Sequence, residues 1–444
     1  MRIISAGEFD AHWKGRAERQ GGDAAAVEAA VRAIIAEVRG GGDAAVRRLA
    51  ARFDRSSPER LEVPASEARA ALAEMRAGRP ELAEALALAA GNIRRFALMQ
   101  REQFSSFERE MAPGLFAGQR VIPIERAAIY VPAGRFPLFS SVLMGLIPAL
   151  CAGVGEAALA SPPLEDGLPD RSVLAAAAVA AQAMEADASG GGSLRIFAVG
   201  GAQAIAALAI GTETIPRADL IAGPGSKYVA AAKRILFGEV GIDFIAGPSD
   251  VLVVTDGAGP GAADLAAADM IAQAEHDPDA QAAALVPSAE MAGRLASAIE
   301  RRLAMLPSPE AARASLAASG LVVVYSSMEE AASVANAIAP EHLELHVEGP
   351  ELWMPLLRNY GSLFVGSLAA EALGDYSAGV NHTLPTSGSA RFTGGLSVGN
   401  FLKVATTLRC SPGEGFEAAR AAAEIMARAE GLEGHALSAA ARKA

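Results

Sequence analysis

The 444-residue chain is poor in cysteine, with only Cys151 and Cys410. Two thiols cannot build a disulfide framework, and they suit a reducing compartment, the cytoplasm. Aromatic residues make up 5% and histidines number six, so each histidine is worth tracing. No basic stripe is present: Lys and Arg total 39 against 51 Asp and Glu, a net charge of −12. That balance argues against a nucleic-acid partner. The start, MRIISAGEFDAHWKGR, has no apolar run after its charge and does not read as a secretory signal. The dinucleotide fingerprint GxGxxG is absent, and no clean internal repeat is seen. One uncharged stretch of 20 residues, FPLFSSVLMGLIPALCAGVG (136–155), is long enough to span a bilayer. Its two prolines, three glycines and two serines fit better with a helix entering a strand in a buried α/β core, so no membrane span is expected. What the chain does have is apolar mass, 51% hydrophobic against 20% charged, which excludes a disordered polymer.

Residues 23–51 and 65–99 carry Ala, Arg and Glu at helical spacing and read as amphipathic helices. From residue 126 the texture changes to short apolar runs that end in Gly or Pro and lead into small-residue helices. Ala127–Val131 runs into PAG, Leu194–Val199 into Gly200-Gly201, Asp219–Ala222 into GPG, and Asp250–Thr255 precedes another Ala-rich helix. Strands alternating with helices predict parallel sheets in an α/β protein. Each Gly turn has two readings: simple strand-to-helix geometry, or backbone N–H groups offered to an anion. Composition places loops at Glu185–Leu194 and Leu306–Gly320. A helix over 329–339 ends at Pro340, and the alternation of Leu343, Leu345 and Val347 predicts a strand. The tail from about 412 is helical again.

The histidines keep unusual company. Gln273 and His276, in AADMIAQAEHDP, share one helix face, where a carboxamide oxygen and an imidazole can hold a metal. The bland alternative is a histidine at the negative end of a helix dipole. Glu341-His342, fixed behind Pro340, sets an acid beside an imidazole and suits proton transfer; a solvated Glu with a capping His is the other reading. His346 reads as structural, on a strand edge. The segment 374–401 is long, polar and aperiodic, as functional loops are, and Asp375 and His382 are its metal-capable or proton-active groups. Glu430 and His435 lie in EGLEGH near the C-terminus, where a lone histidine is by default a surface residue. Any metal here would have N and O ligands, which suits Zn²⁺ or Mn²⁺.

Together the motifs resemble the histidinol dehydrogenase family. The likeness runs through IYVPAGR (129–135), VGGAQAIAALAIGT (199–212), IAGPGSKYVAAAKR (221–234), IDFIAGPSD (242–250), AQAEHDP (272–278), APEHLEL (339–345) and GDYSAGVNHTLPTSGSARF (374–392). The resemblance implies a Zn²⁺-dependent oxidation of L-histidinol to L-histidine through histidinal, with two NAD⁺. It places the zinc ligands on Gln273, His276, Asp375 and His435, and the acid–base pair on Glu341 and His342. Substrate contacts would be Ser249, Gln273, His276, His342, Asp375, His382, Glu430 and His435, and NAD contacts Tyr130, Gln203 and Ser226. The fold it implies is α/β, with two incomplete Rossmann-like domains with parallel sheets and small helical terminal segments. The expected boundaries are an N-terminal segment 1–29, a first domain of 30–129 with 249–395, a second of 130–248, and a dimerisation tail 396–444. The family's intertwined homodimer would share its active sites.

Three departures stand out: Ser226 where the family usually has Asn, Ala133 where Gly is common, and Asp250 where Glu is common. The run TGGLSVGNF (393–401) also resembles paralogues that oxidise other small polar alcohols, such as a sulfonated propanediol, so that alternative stands beside histidinol. A catalytically silent zinc- or nucleotide-binding scaffold is a second alternative. The metal-capable and acid–base residues argue against it.

Overall fold

The computed structural model describes residues 1–17, 24–132, 137–185, 192–245, 247–259 and 261–442. Two six-stranded sheets organise it. One is wholly parallel and runs Arg2–Ser5, Leu321–Val324, Gln281–Val286, Asp250–Thr255, His342–His346, Ser362–Val365. The other runs Glu62–Val63, Ser193–Ala198, Glu156–Ser161, Arg126–Tyr130, Leu220–Ala222, Gly241–Ile242, parallel except at its first, two-residue strand. We call them the first and second sheets. A third, antiparallel ribbon joins Leu402–Cys410, Leu115–Pro123 and Phe107–Ala112.

Inner strands such as DVLVVT (250–255) are buried along their whole length because helices cover both sheet faces. On the second sheet one face packs under Ala65–Gly78, Pro80–Glu102, Ser140–Ala152 and Arg171–Glu185. The opposite face packs under Ala24–Phe53, Gly201–Ile210 and Lys227–Leu236. The Ala24–Phe53 helix breaks at Gly42, whose φ of 50° and ψ of −139° are not helical. The uncharged stretch forms the buried helix Ser140–Ala152 and then the strand Glu156–Ser161, as its composition predicts. No helix among the described residues is long and apolar enough to cross a membrane.

Several sequence expectations are corrected by the packing. Residues 30–129 do not join 249–395. Their helices and the strands Glu62–Val63 and Arg126–Tyr130 belong to the second sheet. Amphipathic periodicity says that a helix needs a sheet face but not which one. Within the segment 1–29, Arg2–Ser5 extends the first sheet beside Leu321–Val324, and the helix Ala24–Phe53 begins. The tail expected from 396 begins inside the second sheet's core with Val398 and Phe401, then pairs its strand with Leu115–Pro123. The Leu306–Gly320 loop contains a helix, Glu310–Ser319, which buries Ala311, Ala312 and Leu316. Of the Glu185–Leu194 loop, residues 186–191 lie outside the described residues, as does Ala133.

Candidate active site between the two sheets

The helix Met328–Ile338 starts at the Ser327 cap and stops at Ala339, which takes the left-handed conformation with φ 52°. That conformation is unfavourable for a residue with a Cβ and is held where surrounding structure demands it. It turns the chain through Pro340 so that Glu341 and His342 enter the first sheet at the start of an inner strand. Both are buried. Glu341 and Asp250 clasp each other: the Asp250 N–H donates to Glu341 Oε2 at 3.1 Å, and the Glu341 N–H donates to Asp250 Oδ1 at 2.7 Å. Asp250 is thus the anchor of the acid beside it. Burial raises the Glu341 carboxyl to about 8; the His342 charge opposes this and the Asp250 charge adds to it.

His342 lies between two carboxylates. Its Nδ1 is 3.6 Å from Glu371 Oε1 and its Nε2 is 3.4 Å from Asp375 Oδ1, with the Phe364 ring centroid 5.9 Å from its own. Burial pulls the imidazole pKa down, but the charges of Glu371, Glu341 and Asp375 outweigh it and carry it well above the ordinary value. Glu371 and Asp375 sit one turn apart on the short helix Glu371–Tyr376, the spacing that puts two side chains on one face. The Glu371 N–H donates to Glu344 Oε1 at 2.7 Å, which pins the start of that helix to the strand carrying His342.

Gln273 closes the helix Ala262–Ala274 and His276 follows at its end. Gln273 is fully buried, and neither its amide oxygen nor its nitrogen has a partner; Asp375 Oδ1 is also buried and unbonded. His276, Glu371 and Asp375 each offer a ligand atom within 4.8 Å of the others. Orphaned oxygens beside an imidazole fit a cation with N and O ligands, a donor set that Zn²⁺ accepts.

His382 is buttressing. Its Nδ1 lies 2.8 Å from the Asp375 backbone oxygen, so Nδ1 carries the proton and Nε2 accepts from Ser141 Oγ at 3.0 Å. Burial, its largest influence, keeps it below the usual imidazole pKa. Ser141 begins the helix that follows the second sheet's Arg126–Tyr130 strand, and Asn381 donates to Met144 O at 2.7 Å on the same helix. The site therefore lies where the strand starts of the first sheet meet the strand ends of the second. Ser249 stands at its rim: its carbonyl accepts from Gln281 N at 2.9 Å, immediately before Asp250.

The three candidate cofactor residues also gather at the strand ends of the second sheet, where open α/β sheets bind ligands. Gln203 and Ser226 line a cleft of about 600 Å³ with Phe53, Asp54, Pro162 and Tyr228. Beneath it the Tyr130 hydroxyl accepts from Gly201 N–H at 3.0 Å. Gly223 is required there, for a Cβ at its φ of 115° would lie 2.1 Å from the Tyr130 carbonyl.

The structure does not bring Glu430 and His435 to this site within one chain. Glu430 caps the helix Glu414–Ala429, His435 lies on Glu433–Ala440, and both are exposed. Their helices pack on each other, and Glu414–Ala429 touches the strand Phe107–Ala112. His346 also departs from expectation. It is on an inner strand, buried, with Nε2 3.2 Å from Glu344 Oε2 and 3.8 Å from Asp269 Oδ2. Sequence reasoning missed Glu371, Glu344 and Asp54. The one available signal was that Glu371 precedes Asp375 by four residues.

A sequence model of the histidinol dehydrogenase family matches residues 17–443. The histidinol dehydrogenase of Aromatoleum aromaticum is 44% identical over 423 residues, covering 95% of this chain and 92% of its own. That of Pseudomonas aeruginosa is 44% identical over 409 residues, 91% of this chain and 88% of its own. The crystal structure of histidinol dehydrogenase from Elizabethkingia anophelis superposes with a TM-score of 0.85 at 34% identity, covering 94% of this chain and 92% of that one.

Proposed function

The chain belongs to the histidinol dehydrogenase family, and on that premise we propose how its residues divide the work of the reaction. It is a zinc- and NAD-dependent dehydrogenase of histidine biosynthesis, which oxidises L-histidinol to L-histidine by way of histidinal. The 44% identity to enzymes named for histidinol favours that substrate over a sulfonated propanediol. The observation that carries the mechanistic assignment is the constellation of buried Glu341, His342 and Glu371 with half-buried Asp375, beside the orphaned amide of Gln273.

Gln273, His276 and Asp375 hold the zinc from this chain. A zinc ion held by these residues would supply a Lewis acid that orients the substrate. The Gln203–Ser226 cleft would hold NAD⁺, which would supply the hydride acceptor. His342 moves the proton. The carboxylates around His342 favour its imidazolium. With Asp375 engaged by the metal that field would weaken, and Nε2, with Nδ1 facing Glu371, would take the hydroxyl proton as hydride leaves the carbinol carbon, giving histidinal. Glu341, ionised, then takes a proton from the water that adds to the aldehyde carbon. The hydrate anion so formed would give up a hydride to a second NAD⁺, leaving the carboxylic acid, which loses a proton to become the carboxylate. Ser249 at the rim contacts the substrate, and His382 fixes the Asp375 backbone that lines its seat.

The fourth ligand position and one wall of the substrate pocket belong to His435 and Glu430 of a second copy. The helix Glu414–Ala429 has no buried residue, and it exposes Ile425 at 69% and Met426 at 63%, as Glu433–Ala440 exposes Leu437 at 58%. Contiguous apolar surface of this kind marks an interaction face. A homodimer with exchanged tails covers it and delivers His435 to the open side of the site, where His276 is exposed. The two free thiols suit a reducing compartment, and we place the enzyme in the cytoplasm. The test is NADH formation from L-histidinol compared with a panel of other polar alcohols. L-histidinol should give two NADH per molecule and the highest kcat/KM. Turnover of a sulfonated propanediol but not of histidinol would overturn the substrate assignment.

A further inference from the structure

The cofactor cleft owes its shape to a residue from a distant part of the chain. Asp54 follows the helix Ala24–Phe53 and reaches the turn between the strand Ser193–Ala198 and the helix Gly201–Ile210. Its Oδ2 accepts from Gln203 Nε2 at 3.2 Å, and its carboxylate also accepts from the Gly200 N–H. It packs tightly, since a Cβ on Gly200 would lie 2.6 Å from Asp54 Oδ1. The next N–H, of Gly201, is taken by the Tyr130 hydroxyl.

Two consequences follow. The start of a helix after a parallel strand is where dinucleotide-binding folds lay a diphosphate on free N–H groups. Here the first two N–H groups are spent on the chain's own side chains, one of them a carboxylate that repels phosphate. The cofactor must then be held by side chains. The second consequence concerns Gln203, which is buried and whose amide could point either way. Because Nε2 is donated to Asp54, Oε1 is the end left free, and no donor among the described residues reaches it. Burial raises the Asp54 carboxyl to about 6, and its hydrogen bonds to Gln203 and Gly200 counter part of that rise.

We propose that Asp54 is a positioning residue of the cofactor site: it fixes the Gln203 carboxamide with its oxygen toward the nucleotide and keeps the diphosphate off the Gly201–Ile210 helix start. The inference rests on the cleft being the NAD site. The experiment compares Asp54→Ala, Asp54→Asn and Gln203→Ala in the zinc-loaded enzyme. Its readouts are NADH affinity by fluorescence titration, KM for NAD⁺ and for L-histidinol, bound zinc and melting temperature. Losing a hydrogen bond to a charged partner should weaken NADH binding and raise KM for NAD⁺ about tenfold in Asp54→Ala. KM for histidinol, zinc content and melting temperature should hold. Asp54→Asn, which keeps an acceptor for Gln203, should stay within about threefold of wild type; if the alanine variant does not fold, Asp54→Ser, too short to reach Gln203, carries the test with the same expected weakening. If Gln203→Ala is weakened while Asp54→Ala binds NADH as wild type does, Asp54 does not position the amide. If Gln203→Ala itself binds NADH normally, the cleft is not the cofactor site and the underlying assignment falls.

Discussion

Replacing Glu371 by Gln separates two roles that its position allows. Its carboxylate lies 3.6 Å from His342 Nδ1, yet it also offers an oxygen within 4.8 Å of ligand atoms on His276 and Asp375. Burial raises the Glu371 carboxyl well above its ordinary value and the His342 charge opposes that rise, so its own charge depends on the imidazolium beside it. Where the pair is charged and Glu371 orients the imidazolium, removing the Glu371 charge has an upper size that can be worked out. Unit charges at that separation interact by about 4–5 kcal/mol at an effective dielectric of 20, roughly three powers of ten in proton affinity. Asp375 and Glu341 keep part of that field, and the Gln carbonyl can still accept from Nδ1–H. A fall in kcat of about 10²-fold is therefore expected, within the range that base catalysis supplies. Zinc content and KM for NAD⁺ should not change. The assay is NADH formation from L-histidinol, run on the same preparation as elemental analysis for zinc. Full zinc with kcat within threefold of wild type would refute the orienting role. Loss of zinc would make Glu371 a metal ligand and displace one of the assigned four.

Chelation should abolish activity and Zn²⁺ restore it; His276→Ala and Asp375→Ala should lose bound metal, and full metal in either variant means that residue is not a ligand. His342→Asn should keep its zinc and lose about 10²–10⁴ in the first oxidation; first-step turnover near wild type would remove it as the base. The Glu341 carboxyl, raised to about 8 by burial, gains its basic form as pH rises through that value, so single-turnover oxidation of histidinal should rise with pH to a plateau above it. Glu341→Gln should be slow and lose that rise, and a variant with the same pH profile as wild type would dismiss water activation by Glu341. Co-refolding His435→Ala with His342→Ala should restore about a quarter of wild-type activity, because half the dimers are mixed and each mixed dimer has one intact site. A mixture that stays inactive while heterodimers form would place His435 in its own chain's site.

The strands that end in Gly turns were the legible part of the fold. Arg126–Tyr130, Ser193–Ala198, Leu220–Ala222 and Asp250–Thr255 fall within a residue of the apolar runs that announce them. The antiparallel ribbon was not legible, because LFAGQRVIP and LKVATTLRC carry neither a strict alternation nor a tight-turn signal between them. They lie almost 300 residues apart and meet only through pairing. The same distance hid the domain boundaries. The Ala24–Phe53 helix needs an apolar face, and both sheets offer one; Glu62–Val63, a two-residue strand pairing Phe197 and Ile196, ties that region to the second sheet.

Site residues were visible where their types are costly to bury or rare. His342 and Asp375 drew attention as an imidazole behind a proline and an acid in an aperiodic loop. Glu371 did not, because a glutamate starting a helix is ordinary on a surface and only the fold shows it buried against His342. Asp54 was invisible for a related reason: its partner, Gln203, is 149 residues away. His435 shows the opposite limit. Its sequence context reads as a disposable surface histidine, and the single chain agrees, leaving it exposed on a helix with Ala436 as its one buried residue. The contradiction is resolved by the site's own incompleteness. Gln273 and Asp375 keep buried oxygens without partners, and His276 faces outward beside them. An unsatisfied buried site and an unsatisfied exposed arm in one chain are complementary deficits, which the proposed exchange between two copies would remove together.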